Sequence, residues 1–158
     1  MKKRNKKTIV AVSGGFDPLH VGHVRMIQEA KKLGNVLVVI LNNDNWLMKK
    51  KGFVFMPQKE RKEIIESIKG VDRVVPTGHT KNTNDRSICK ELEKIRPHIF
   101  ANGGDRNEKD AADPNSSLFK DTQVCKDYDI KMIFNVGKGG KVQSSSWLTQ
   151  KLDKKKKK

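Results

Sequence analysis

The chain is short of cysteine, of long apolar runs and of the usual signatures of covalent catalysis. Only Cys89 and Cys125 occur, both in segments whose spacing predicts helices. Two thiols with no signal peptide argue for a reducing interior and against a structural disulfide. The longest apolar run, Val36–Leu41, is far too short to span a bilayer. Together these absences predict a soluble cytoplasmic protein. No Ser-His-Asp or Cys-His set is placed for nucleophilic catalysis, and no internal repeat is visible. There is no G-x-G-x-x-G, and no lysine followed by serine or threonine closes a phosphate loop. With 158 residues the chain is long enough for one domain with a single core and no staples.

Acidic residues are also outnumbered. Lysine and arginine total 34 against 18 aspartates and glutamates, a net charge of +16. Residues 2–7 hold five of the basic groups and residues 154–158 hold five more. Setting those ten aside leaves 24 basic against 18 acidic residues, a net of +6. Neither end has an apolar anchor, so both read as solvated, disordered tails. Such tails would bind nucleic acid weakly, nonspecifically and in a salt-dependent way. The remaining +6 suits an enzyme whose substrates are polyanions. The predicted organisation is a basic tail over 1–7, one domain over 8–153 and a lysine tail over 154–158.

What is present centres on Ser13-Gly14-Gly15-Phe16-Asp17-Pro18-Leu19-His20-Val21-Gly22-His23. An apolar strand over 8–13 precedes it. Val24, Ile27, Ala30 and Leu33 follow at helical spacing, with Met26 beside them, predicting a helix over 22–33. Glycines allow close approach of a ligand to the backbone, and the first N–H groups of a helix have no internal partner. Strand, glycine-rich turn and helix start therefore make an anion site, phosphate above all. His20 and His23 add imidazole donors to it. A zinc site is disfavoured, because the local spacing supplies two ligands and no third lies close by.

The rest of the chain alternates. Val36–Leu41 reads as a strand buried on both faces. A polar stretch over 42–56 precedes a helix opened by Pro57, with Ile64, Ile65 and Ile68 on its inner face. Further strands are predicted at 71–75, 98–101 and 130–135, and further helices around Ile88, Leu92 and Ile95 and over 117–128. Residues 106–117 read as a mobile loop, and Ser144-Ser145-Ser146 as the cap of a short helix. This alternation predicts an α/β fold, a Rossmann-like doubly wound sheet of five parallel strands in a single domain. Right-handed crossovers then bring the His20/His23 turn, Gly103-Gly104-Asp105 and the serine run to one sheet edge.

The run Gly14 to His23 resembles the H-x-G-H signature of the cytidylyltransferase-like nucleotidyltransferases, and the likeness extends over 9–152. Asn42-Asn43-Asp44 with Lys49-Lys50-Lys51-Gly52 resembles the N-S-D…K-G stretch of the glycerol-phosphate and sugar-phosphate branches. Pro57-Gln58-Lys59-Glu60-Arg61 resembles a P-x-x-E-Q-R helix start. Asn102-Gly103-Gly104-Asp105 resembles a K-G-G-D turn, and Gln143-Ser144-Ser145-Ser146 stands where the family has I-S-S-T. Two departures are visible. Relatives carry a basic residue after the K-G pair, where this chain has Phe53-Val54-Phe55-Met56, and an arginine before the serine motif, where it has Lys138 and Lys141.

The resemblance implies transfer of CMP or AMP from CTP or ATP to a phosphorylated small molecule, glycerol 3-phosphate or a sugar phosphate, with release of pyrophosphate. It implies His20, His23, Lys51 and Arg61 as catalytic residues. Gly14, Gly15, Phe16, Asp17, Gly22, Gly103, Gly104, Asp105, Ser144, Ser145 and Ser146 would bind nucleotide, and Asp44, Lys51 and Arg61 the acceptor. It further implies Mg2+ carried with the triphosphate, no protein metal site, and a homodimer. Two alternatives stay open: a flavin-nucleotide synthase, favoured by the apolar Phe53-Val54-Phe55-Met56 patch, and a basic nucleic-acid-binding protein on the same scaffold.

Overall fold

The structure is a computed structural model and describes residues 6–104, 106–137 and 143–156. Five strands, β1 (Ile9–Gly14), β2 (Val36–Leu41), β3 (Arg73–Pro76), β4 (Ile99–Ala101) and β5 (Lys131–Ile133), form one parallel sheet. Their order is β3-β2-β1-β4-β5. The helices are α1 (Val21–Lys31), α2 (Asp44–Lys51), α3 (Gln58–Glu66), α4 (Cys89–Ile95), α5 (Glu108–Ala112), α6 (Ser117–Asp127) and α7 (Ser145–Lys156). The α/β architecture with five parallel strands agrees with the sequence pattern.

Side chains alternate across a strand, and β1 divides its residues between two cores. Val10 and Val12 pack with Leu37, Val39 and Leu41 against Ile27 and Ala30 of α1 and Ile65 of α3. Ala11 points to the opposite face, where Ile40 and Phe100 meet Leu92 of α4 and Leu118, Val124 and Cys125 of α6. The sheet is covered on both sides, which is why β2 carries no polar residue. Chain direction across the sheet reverses between β1 and β4. The cleft for ligands opens at that switch, beyond the carboxyl ends of the strands.

Four local expectations need correction. The stretch after β2 is not plain loop, because Asp44–Lys51 is helical. Asn43 caps it by accepting the Trp46 N–H at 3.0 Å, and Gly52 ends it at φ +79. Residues 106–117 are not a continuous loop either, since Glu108–Ala112 is a helix with an Asn107/Asp110 capping box. Ile64 is 40 % exposed, so the inner face of α3 is carried by Ile65 with Arg61. The serine helix is longer than the short helix expected there, running on to Lys156. Asp105, Lys138, Lys141 and most of the N-terminal tail lie outside the described residues.

Candidate active site

The turn after β1 is built around Phe16. Its φ is +52, in the left-handed region, and its ring is buried directly beneath Gly14. A Cβ at Gly14 would meet that ring at 3.0 Å, so any larger residue there would force the ring to shift. The chain then enters α1 with His20 as N-cap. His20 Nδ1 accepts the Gly22 N–H at 3.1 Å, and His23 Nδ1 accepts the His20 N–H at 3.3 Å. The imidazoles stack with centroids 3.7 Å apart, and Phe16 meets His23 edge-on at 4.9 Å.

This reciprocal cap fixes the tautomers. A ring nitrogen that accepts an N–H carries no proton, so each neutral ring is protonated at Nε2. Burial, with a smaller push from His20, lowers His23 to about 3, and burial lowers His20 as well. The pair therefore presents two neutral Nε2–H donors at physiological pH, one from each ring.

The rings line a cleft of about 580 Å³. Of the predicted residues, Gly14, Gly15, Phe16, His20, Gly22, His23, Gly103, Gly104, Ser144, Ser145 and Ser146 line it. Three segments distant in sequence thus meet at one edge, as the topology requires. Gly103 sits where a Cβ would come within 2.7 Å of the Val136 carbonyl oxygen, so the turn after β4 packs against the strand-five loop only with glycine. On the facing side, the Ser144 and Ser146 hydroxyls bond each other at 2.8 Å, and the Ser145 hydroxyl donates to the Pro18 carbonyl at 2.8 Å. Ser145 ties the start of α7 to the histidine turn, and the first-turn N–H groups of a helix have no acceptor within it.

Four predicted contacts are placed elsewhere. Arg61 is fully buried, and its guanidinium is spent on the frame. Nε donates to Met56 O at 2.8 Å, Nη1 to Gly15 O and Asn42 O at 2.7 Å each, and Nη2 to Asp44 Oδ1 at 2.6 Å. Neither Arg61 nor Asp44 lines the cleft. Asp17 is buried and accepts Phe55 N–H at 2.8 Å and Met56 N–H at 2.5 Å. Lys51 completes that lock, 2.8 Å from the Asp17 carboxylate and 2.7 Å from the Asp17 carbonyl oxygen. As placed, these four side chains hold the turn, the end of β2 and the 53–56 segment together. They do not face the cleft, and Phe53 and Phe55 are exposed outside it.

Among the described residues, the lysine at the cleft is the neighbour, Lys50, whose Nζ lies 4.8 Å from the Trp46 ring centre. Burial first, then the charges of Arg106, Arg86 and Lys51, lower its pKa. Lys50, Arg25 and Arg106 bring positive charge to the cleft, and Asp110 and Asp121 bring carboxylates to the same lining. Asn42 and Asn102, which belong to two of the motifs quoted above, also line the cleft, as do Trp46, Arg25, Arg106, Asp110 and Asp121, which belong to none. One signal was available for Asp121. It occupies a position in the stripe of α6 where Leu118, Thr122 and Cys125 turn inward, and a carboxylate there is out of pattern.

The model of the cytidylyltransferase-like family matches residues 11–146. The chain belongs to that family. Cytidylyltransferase-like relatives include the FAD synthase of Ferroglobus placidus, 38 % identical over 62 % of this chain and 60 % of its own length. The FAD synthase of Thermococcus kodakarensis is 36 % identical over 67 % of this chain and 68 % of its own. Bifunctional protein HldE of Helicobacter pylori is 36 % identical over 77 % of this chain but only 25 % of its own length. The chain therefore spans about three-fifths of the first relative and a quarter of the last. Among solved structures, the lipopolysaccharide core biosynthesis protein of Thermoplasma volcanium shares the fold. It matches with a TM-score of 0.63 and 23 % identity over 84 % of this chain and 98 % of its own.

Proposed function

We propose that this protein transfers a nucleoside monophosphate from a nucleoside triphosphate to a phosphorylated small molecule and releases pyrophosphate. The observation that carries the reading is the histidine pair, whose backbone capping leaves two neutral Nε2–H donors in a cleft shared with Gly103, Gly104 and the α7 N-terminus. A phosphate monoester is ionised at neutral pH, so no general base is needed. Its oxygen attacks the α-phosphorus in line, a P–O bond forms, and the bond to the α,β-bridging oxygen breaks with its electron pair leaving on pyrophosphate. Donors fixed in place stabilise the charge that develops on the α-phosphoryl and leaving oxygens. Neutral donors suit this task, because they hold the triphosphate without trapping the product.

In this reading the triphosphate enters as its magnesium complex, with its β and γ groups at the start of α7. The Gly103-Gly104-Asp105 turn holds the nucleoside, Asp105 accepting from ribose hydroxyls. Lys50 and Arg106 take the acceptor phosphate, a role that the sequence pattern had given to Lys51 and Arg61. The likeness to FAD synthases favours ATP as donor and FMN as one acceptor to test. The likeness to HldE favours a sugar phosphate. The reading also keeps a homodimer in the cytoplasm.

The test is pyrophosphate release from CTP or ATP with glycerol 3-phosphate, sugar phosphates and FMN. His20→Ala and His23→Ala should each lower turnover by about 10²–10³-fold, the usual cost of losing one such donor. Near-normal turnover in either folded variant would remove that histidine from the mechanism.

A further inference from the structure

Two buried polar side chains in the cleft wall have no part in the transfer step. Asp121 of α6 is 5 % exposed and Asn42, at the end of β2, is 4 % exposed, and both line the cleft. Asp121 Oδ1 accepts the Ile88 N–H at 2.8 Å and lies 3.5 Å from the Cys89 thiol. Its other oxygen makes no hydrogen bond with the described residues. The Asn42 amide makes none either, and its Oδ1 is buried without a partner. Buried polar atoms are nearly always paired, and one left unpaired costs stability. An apolar side chain at 42 would carry no such cost, and the Ile88 N–H and Cys89 thiol engage only one of the two Asp121 oxygens.

We infer that Asp121 and Asn42 form a hydroxyl-reading subsite that selects a polyhydroxylated phosphate monoester as acceptor. The inference rests on the transfer reading for the word acceptor and on the geometry for the rest. A carboxylate with one oxygen committed to the backbone keeps the second for a ligand hydroxyl. An amide can donate to one hydroxyl oxygen and accept from another. Lys50 and Arg106, lining the same cleft, supply the charge for the phosphate. Burial raises Asp121 to about 7, so the fold bears the cost of keeping an ionisable group there. Sugar phosphates, glycerol phosphate and the ribityl phosphate of FMN share the required chemistry. A monoester without hydroxyls would leave the buried polar groups unpaired and be rejected.

The experiment is calorimetric titration of the full chain, with a nonhydrolysable triphosphate analogue bound. The probes are glycerol 3-phosphate, glucose 1-phosphate, FMN and n-propyl phosphate. The wild type should bind at least one hydroxylated compound tenfold or more tightly than propyl phosphate, and which one identifies the acceptor type. Asp121→Asn keeps an oxygen for the Ile88 N–H, and Asn42→Leu keeps the branched outline of the side chain while removing both polar atoms. Each should erase most of the preference while leaving affinity for propyl phosphate and for the nucleotide analogue within twofold. Asn42→Leu should also unfold at the same or higher temperature, and it stands alone if Asp121→Asn fails to fold. No hydroxyl preference in the wild type, or equal losses for every ligand in the variants, would overturn the subsite. Failure of the transfer reading shows up separately, as no pyrophosphate release with any acceptor despite intact binding.

Discussion

A histidine that caps a helix through Nδ1 has one nitrogen left to work with, and burial decides whether that nitrogen belongs to a neutral or a charged ring. For His23 the answer is neutral, because its pKa falls from an ordinary 6.5 to about 3. Below pH 6.5 the unfolded chain takes up a proton that the folded chain refuses. Stability should therefore be level with respect to this group above about pH 6.5 and fall on acidification towards pH 3, by up to about 1.4 kcal/mol per pH unit. Asp121, raised to about 7, acts in the opposite sense over part of that range. The comparison that isolates His23 is urea unfolding of wild type and His23→Gln at pH 7.5 and pH 5. The glutamine variant should lose less stability on acidification. An equal loss in both would mean that His23 titrates normally. Lys50 and Lys51 make a second residue-scale contrast, since adjacent helix positions lie about 100° apart. Lys50→Ala should raise the KM for the phosphorylated acceptor about tenfold or more with little change in melting temperature. Lys51→Ala should do the reverse, lowering the melting temperature because it breaks the Asp17 lock. The opposite pattern would return the phosphate contact to Lys51.

Arg61 decides how the elements around the cleft are joined. One side chain binds carbonyls at the end of the β1 turn, at the end of β2 and before α3, and the carboxylate of α2. Arg61→Met should fill much of the volume yet leave those acceptors unpaired, at a cost of about 3 kcal/mol or more. Urea unfolding would measure it. A variant of wild-type stability with weakened phosphate binding would show that Arg61 reaches the ligand after all. The sequence could not reveal this bracket, because a basic residue in the first turn of a helix looks the same whether it faces a ligand or the interior. The strands were legible for the converse reason: parallel strands covered on both faces must be apolar, and β2 has no other reading. α2 was hidden because its inward surface is little more than Trp46 and Leu47, followed by three lysines. α5 buries no residue, and only the Asn107/Asp110 cap signals it. The histidine turn was readable since glycine, ring and imidazole requirements all fall within one short stretch. The cleft wall of Asn42, Trp46, Lys50, Arg106 and Asp121 was not, because its residues come from separate stretches of the chain.

At the scale of the whole molecule, the sheet is unevenly knitted. β1 and β2 run in register along their full lengths, from Ile9–Val36 to Gly14–Leu41. β1 and β4 are paired only at Val10–Ile99 and Ala11–Phe100. That short seam divides the molecule into a half carrying the histidine turn and a half carrying Gly103 and Gly104, and the cleft lies over it. A nucleotide held by both halves would be a cross-link between them, applied where the backbone supplies least. Its arrival should slow solvent exchange of amide hydrogens on both flanks of the seam together, while the β1–β2 amides, already protected, change little. Exchange that slowed on one flank alone would place the nucleotide wholly on that side. Occupancy of the cleft would then be felt throughout β4, β5 and α6 as rigidity, and the empty protein would breathe along the line on which its chemistry is arranged.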